Sequence, residues 1–179
     1  MGTLHVPDLL INGCFEFEDC AVLVEGPVIA GLDSYETLAA AHPGARVRRW
    51  PGYLVPGLCE HGEVERLERT YYPDPREAEE LGTEPLTGAA LAALDMNEAR
   101  WGASARRGLQ RLMAQGIVEI CGEFTRPVIR DAVLRSGMYS QPPHERRALR
   151  VGGEARFAVF DDDGCVAAVI GGRLVYRRR

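Results

Sequence analysis

The sequence predicts a mixed α/β fold, and three features predict it. Short β-branched runs separated by turn residues fill residues 1–55. A helix, a buried strand and a second helix follow between Asn97 and Gly137. The end of the chain returns to strand-like runs joined by Asp-Gly and Gly-Gly turns.

The elements read as follows. Leu9-Leu10-Ile11 is an apolar run ended by Asn12-Gly13. Ala21-Val22-Leu23-Val24 and Val28-Ile29-Ala30 flank Gly26-Pro27 and predict a hairpin. Asp33 or Ser34 caps a short helix, Tyr35 to Ala41, with Glu36 placed to complete a capping box from Asp33. Pro43-Gly44 stops it. Ala45 to Trp50 sets Val47 among arginines, the pattern of an exposed or edge strand. Tyr53-Leu54-Val55 is the next strand. Residues 60–95 are rich in acidic side chains and broken by Pro73, Pro75 and Pro85, which predicts a solvated surface loop with short helical turns.

From Asn97, Trp101, Ala105, Leu109 and Leu112 recur at helical spacing with arginines between them, and Gly116 ends the helix. Ile117 to Cys121 is a short buried strand. Thr125 is a candidate N-cap before Pro127, and Val128, Ile129, Ala132 and Val133 form one face of the next helix. Strand, helix, strand, helix is the order of a parallel βαβα unit. Phe157 to Phe160, Val166 to Ile170 and Arg173 to Tyr176 then predict a small antiparallel meander.

Composition excludes several kinds of chemistry. The 179 residues fit one domain, or one with an appendage. All 21 basic residues are arginine, so no Schiff-base lysine, lysine-anchored pyridoxal phosphate, phosphate-loop lysine or carbamylated metal-bridging lysine exists. The net charge of −5 argues against a nucleic-acid partner, and Arg177-Arg178-Arg179 reads as a solvated end. Five cysteines at irregular spacing, without Cys-x-x-Cys, fit reduced thiols and a cytoplasmic location. The opening MGTLHVPDLL shows no signal peptide, and no apolar run predicts a membrane span. The four serines, Ser34, Ser104, Ser136 and Ser140, are assigned to caps or helix ends, and no Gly-x-Ser-x-Gly occurs.

Three segments carry a family resemblance. Residues 22–38, VLVEGPVIAGLDSYETL, followed by Pro56-Gly57-Leu58, resemble the opening of metal-dependent amidohydrolases. Residues 104–121, SARRGLQRLMAQGIVEIC, resemble that family's first barrel helix and second strand. Residues 148–179, ALRVGGEARFAVFDDDGCVAAVIGGRLVYRRR, resemble its C-terminal end. The aminodeoxyfutalosine deaminase and imidazolonepropionase-like branch is the most similar in flavour. The resemblance implies a small composite β-sandwich from residues 1–55 and 147–179. It also implies that residues 56–146 are a βαβα remnant of a (β/α)8 barrel.

The same resemblance frames the candidate site. The family carries Pro-Gly-x-x-Asp/Asn-x-His-x-His at its first barrel strand, and this chain has Pro-Gly-Leu-Cys-Glu-His-Gly-Glu-Val at 56–64. Without a gap, Glu60 takes the acidic position while Gly62 and Val64 replace the histidines. Sliding by one residue places His61 and Glu63 there instead, and the pair of histidines is absent either way. Barrel enzymes work at the C-terminal ends of their strands. That edge would offer Cys59, Glu60, His61 and Glu63 from one strand and Cys121 and Glu123 from the next. On an extended strand His61 and Glu63 point the same way. Histidine, thiolate and carboxylate all bind zinc. Against this, His61 reads as a surface histidine in an acidic loop and Cys59 and Cys121 as small buried hydrophobes, which is the favoured reading. A cysteine–histidine pair using His61 or His144 has no local signature. Arg156 stands where the family has aspartate, at a position of the sandwich rather than of the active site.

Two functions remain in view. One is a degenerate relative without cofactor, acting by binding a small molecule, as a homodimer or with a larger enzyme partner. A truncated barrel leaves apolar surface to cover, and Trp50, Trp101, Tyr71, Tyr72 and Tyr139 are the aromatics expected near it. The other is a metal-dependent hydrolase of non-peptide C–N bonds. There His61, Glu63 and Cys121 would hold zinc and Glu60 or Glu123 would act as base.

Overall fold

The computed structural model describes residues 2–60, 62–140 and 148–178, except for the side chain of Glu60. In chain order the strands are β1 (Thr3–Asn12), β2 (Phe15–Glu18), β3 (Cys20–Glu25), β4 (Val28–Ser34), β5 (Arg46–Pro56), β6 (Leu58–Glu60), β7 (Ile117–Ile120), β8 (Phe157–Asp161), β9 (Gly164–Ile170) and β10 (Arg173–Arg177). The helices are α1 (Tyr35–Ala41), α2 (Glu63–Arg69), α3 (Ala78–Leu81), α4 (Gly88–Ala92), α5 (Glu98–Ala114) and α6 (Pro127–Ser136), with a 3-10 turn at Pro75–Glu77. The chain divides into two compact units. One holds Met1–Cys59, Met113–Val118 and His144–Arg179; the other holds Glu60–Leu112 and Glu119–Pro143.

The first unit is built on an eight-stranded sheet, ordered β10-β9-β8-β5-β1-β3-β4, with β2 paired to β1. Only β1 and β5 run parallel. The hairpin predicted around Gly26-Pro27 is β3–β4, paired antiparallel from Cys20↔Ser34 to Glu25↔Val28. The closing meander is β8–β9–β10. Both chain termini enter this one sheet, because β5 pairs antiparallel with β8 from Tyr53↔Phe160 to Pro56↔Phe157. The outer edge of β4 is covered too. Ile29 N–H donates to the Gly153 carbonyl at 2.9 Å, and Gly152 N–H donates to the Ile29 carbonyl at 2.8 Å.

Inward residues of these strands make the main core: Leu10, Val22, Ile29, Trp50, Leu54 and Phe157. A second cluster, Leu4, Val6, Ala21 and Leu23, is closed by Leu38 of α1. Burying a side chain of this size stabilises by about 1.5–3 kcal/mol. Within the core, Trp50 Nε1 donates to His5 Nδ1 at 3.1 Å, and Phe157 meets the His5 ring edge-on at 4.9 Å.

Two local expectations change here. The arginine-rich stretch at 45–50 is exposed at Arg46, Val47 and Arg49, but β5 is an interior strand between β1 and β8. One face of an antiparallel sheet can stay in water, so alternation with arginine does not mark an edge. The N-cap of α1 is Ser34, whose Oγ accepts from Thr37 N–H at 3.1 Å. Asp33 is occupied with the Ser34 N–H at 2.6 Å, so the capping box from Asp33 to Glu36 does not form.

The second unit is helical around the end of β7. The predicted stripe on α5 is buried: Trp101, Ala105, Leu109 and Leu112 are each at most 5 % exposed. Gly108 lies where a Cβ would meet Tyr72 Cε2 at 2.6 Å and Leu67 Cδ2 at 2.7 Å, so α5 approaches those side chains closely. Ser104 lies inside α5, not at a helix end, and its buried Oγ accepts from Tyr72 N–H at 2.9 Å. The α6 face is Ile129, Ala132 and Val133, and left-handed Gly137 ends the helix. Its N-cap is Arg126, not Thr125. Glu68 of α2 accepts the N–H groups of Thr125 and Arg126 at 2.6 and 2.8 Å, doing the work a capping side chain would. Among the described residues no helix is long and apolar enough to cross a membrane.

Candidate functional site

The acidic segment of the second unit is less solvated than its composition implies. It returns on itself where Tyr71 and Leu86 exchange N–H to carbonyl hydrogen bonds of 2.9 and 2.8 Å. A capping box at the 3-10 turn uses Asp74 and Glu77. These carboxylates then reach α5: Glu77 pairs with Arg100 at 2.8 Å and Asp74 with Arg107 at 3.1 Å. The Tyr71 hydroxyl donates to Glu77 Oε2 and accepts from Arg100 Nε. Its buried ring lies 4.8 Å from the Arg100 guanidinium. The Tyr71 hydrogen bond, helped by the Asp74 N–H and Arg100, holds the Glu77 carboxyl below the usual carboxylate range. Arg100, Arg107 and Arg111 are seven and four residues apart, so they share one flank of α5. That spacing was the sequence signal for this network.

Tyr72 anchors a second cluster. Burial pushes its phenol upward, with Arg66 and Arg111 opposing and Glu63 adding to the shift. Arg111 stands 5.7 Å over its ring.

The predicted metal and catalytic residues fall around the end of β6, the start of α2 and the loop after β7. His61, His144 and the Glu60 side chain lie outside the described residues. β6 ends at Glu60 and Gly62 caps α2, so Glu63 is the first residue of a helix. Glu63 is therefore placed by a helix and not by an extended strand. A helix turns by about 100° per residue where a strand alternates. Glu63 is buried; its Oε1 pairs with Arg66 at 3.1 Å, and its Oε2 has no hydrogen-bond partner among the described residues. Cys121 is buried just past β7, and Glu123 is exposed in the following loop. Cys59 is half-buried. Among the described residues, no three histidine, cysteine, aspartate or glutamate side chains stand together as a metal would need.

Trp50, Trp101, Tyr71 and Tyr72, expected beside an uncovered surface, are at most 5 % exposed within the chain itself. In the first unit Arg156 is structural: its guanidinium bonds the Val118 carbonyl and pairs with Glu154 at 2.8 Å.

No family model matches the chain, and no curated protein matches it. Solved structures do match. They are hydrolases and deaminases of the amidohydrolase superfamily, and the fold of this chain resembles part of theirs. A. niger ochratoxinase aligns at a TM-score of 0.51 and 16 % identity, over 78 % of this chain and 30 % of that one. A triazine hydrolase variant aligns at 0.50 and 18 % identity, over 76 % and 33 %. Helicobacter pylori aminofutalosine deaminase aligns at 0.43 and 13 % identity, over 72 % and 30 %. The chain thus spans about a third of the length of these structures.

Proposed function

We propose that this chain is an amidohydrolase-like protein in which most of the barrel and its metal ligands are gone, and that it acts by binding rather than by hydrolysis. The observation that carries this reading is the pairing of β5 with β8. That ladder joins the two terminal segments, so everything inserted between them must come from residues 57–156. A closed eight-stranded α/β barrel takes roughly 200 residues or more. In this reading the terminal segments form the composite β-sandwich and the insertion is the βαβα remnant. The placement of Glu63 supports the same conclusion, since helix α2 and Arg66 hold a carboxylate that a strand would have aimed at a metal.

Binding is to a second copy or to a larger enzyme. The apolar face offered is that of β2, where Phe15 is 69 % and Phe17 43 % exposed with ring centroids 6.4 Å apart. The mass of the purified chain in solution checks this. An assembly larger than the monomer is expected, and it should weaken in a Phe15→Ser variant.

One atom favours the other reading. Glu63 Oε2 is buried without a hydrogen bond among the described residues, as a ligand awaiting an ion would be. In that case the chain is a zinc hydrolase of non-peptide C–N bonds, with His61 and Cys121 joining Glu63 and with Glu60 or Glu123 as base. The described residues do not fit that ion, because Glu63 is ion-paired and Glu123 points to solvent. Metal analysis separates the two readings. No stoichiometric zinc is expected; zinc that is present in the native chain and absent from a His61→Ala variant would overturn the binding reading.

A further inference from the structure

The second unit carries an open cleft of about 300 Å3 between the 3-10 turn and α5. That is the lower end of the size range for small-molecule pockets, roughly 300–1,000 Å3. Arg100, Ala103 and Arg107 line it from α5, at positions i, i+3 and i+7 of one helical face. Asp74, Arg76 and Glu77 line it from the turn, with the buried Tyr71 behind them.

Three guanidiniums meet two carboxylates here, which leaves one positive charge in excess. The internal network accounts for most of Arg100, through Tyr71, the Asp95 carbonyl and Glu77. It accounts for Arg107 Nε and Nη1, which donate to the Tyr72 carbonyl and to Asp74. It does not account for Arg107 Nη2 or for the Arg76 guanidinium, which make no hydrogen bond or ion pair among the described residues. Guanidinium N–H groups are strong charge-assisted donors, and their planar fork matches a carboxylate or a phosphate. Arg76 is exposed, so its N–H groups are open to a ligand in place of water.

We infer that this cleft is a binding site for a small oxyanion-bearing molecule, held by Arg76 and Arg107 Nη2 with its body against Ala103. The site is independent of any metal chemistry and of the β2 surface.

Benzoate and inorganic phosphate are the probes, one for each source of the oxyanion, titrated calorimetrically into the full chain at low ionic strength. At least one should bind at millimolar concentration or below, and which one does identifies the source. Arg76→Ala removes the unpaired cation and should weaken binding about tenfold, the worth of one charged hydrogen bond. Ala103→Leu fills the cleft without touching a charge and should weaken binding at least as much. Arg76 is exposed and unpaired, so its variant should melt like the native chain. If neither probe binds, or if either folded variant keeps full affinity, the inference is wrong.

Discussion

His5 shows how one residue can set the acid response of the fold. It is 1 % exposed and accepts the Trp50 indole N–H, so the neutral imidazole is the form the core holds. Burial lowers its pKa from 6.5 to about 3, with Arg48 adding to the shift. A histidine depressed in this way contributes full stability above pH 6.5 and loses it as pH falls towards 3. Linkage gives a loss of about 2 kcal/mol between pH 7.5 and pH 5. Urea melts at the two pH values should show it. In a His5→Gln variant, which keeps an acceptor for Trp50, the difference should disappear; an unchanged difference would assign the acid response elsewhere. Gly108 makes the opposite point about packing. Glycine to alanine inside a helix ordinarily gains about 1 kcal/mol. Here the new methyl group meets Tyr72 and Leu67 at 2.6 and 2.7 Å. Overpacking of that kind costs about 1–3 kcal/mol. Gly108→Ala should therefore lower the denaturation midpoint, and a raised midpoint would show that the two side chains yield freely.

At the scale of elements, Glu68 ties α2 to the start of α6. Its carboxylate accepts two backbone N–H groups and the Thr125 hydroxyl. Glu68→Ala should cost about 1–2 kcal/mol, as the loss of an N-cap does. Amide exchange would localise the loss to the first turn of α6, and uniform loosening would argue against a capping role. This contact was not readable in the sequence, because the acceptor lies 57 residues before Thr125. Elements whose burial is recorded locally were readable. The Gly26-Pro27 hairpin, α1, the α5 stripe and the closing meander follow periods of two or 3.6 residues. The interior position of β5 was not, since its neighbour β8 comes a hundred residues later. The acidic segment looked solvated because its counter-charges sit on α5. The start of α2 was not readable for a related reason: the period of a strand runs on through Gly62 in the sequence, where the backbone turns into the helix.

For the whole molecule, the consequence of the sheet order is that the first unit cannot be completed until the end of the chain is present. β8 covers the edge of β5, and Phe157, Val159, Val166 and Val169 supply core that the N-terminal strands lack. Asn12 fixes the same join, bonding the Leu149 carbonyl at 2.9 Å and the Leu149 N–H at 2.6 Å. Contacts this far apart in sequence are formed late, because the loop between them must be closed first. Residues 1–147 alone should therefore leave Trp50 exposed, while residues 148–179 added in trans should bury it again. Trp50 emission, read in a Trp101→Phe background, reports the event directly: a red-shifted band for the fragment and a blue shift on mixing. Each closing residue that packs in the core is worth about 1.5–3 kcal/mol when buried, so the joint absence of four removes an amount comparable to the whole stability of an ordinary small domain. A fragment that melts cooperatively with native Trp50 emission would mean that β1, β3, β4 and β5 form a self-sufficient sheet. The pairing of β5 with β8 would then no longer bound what lies between them.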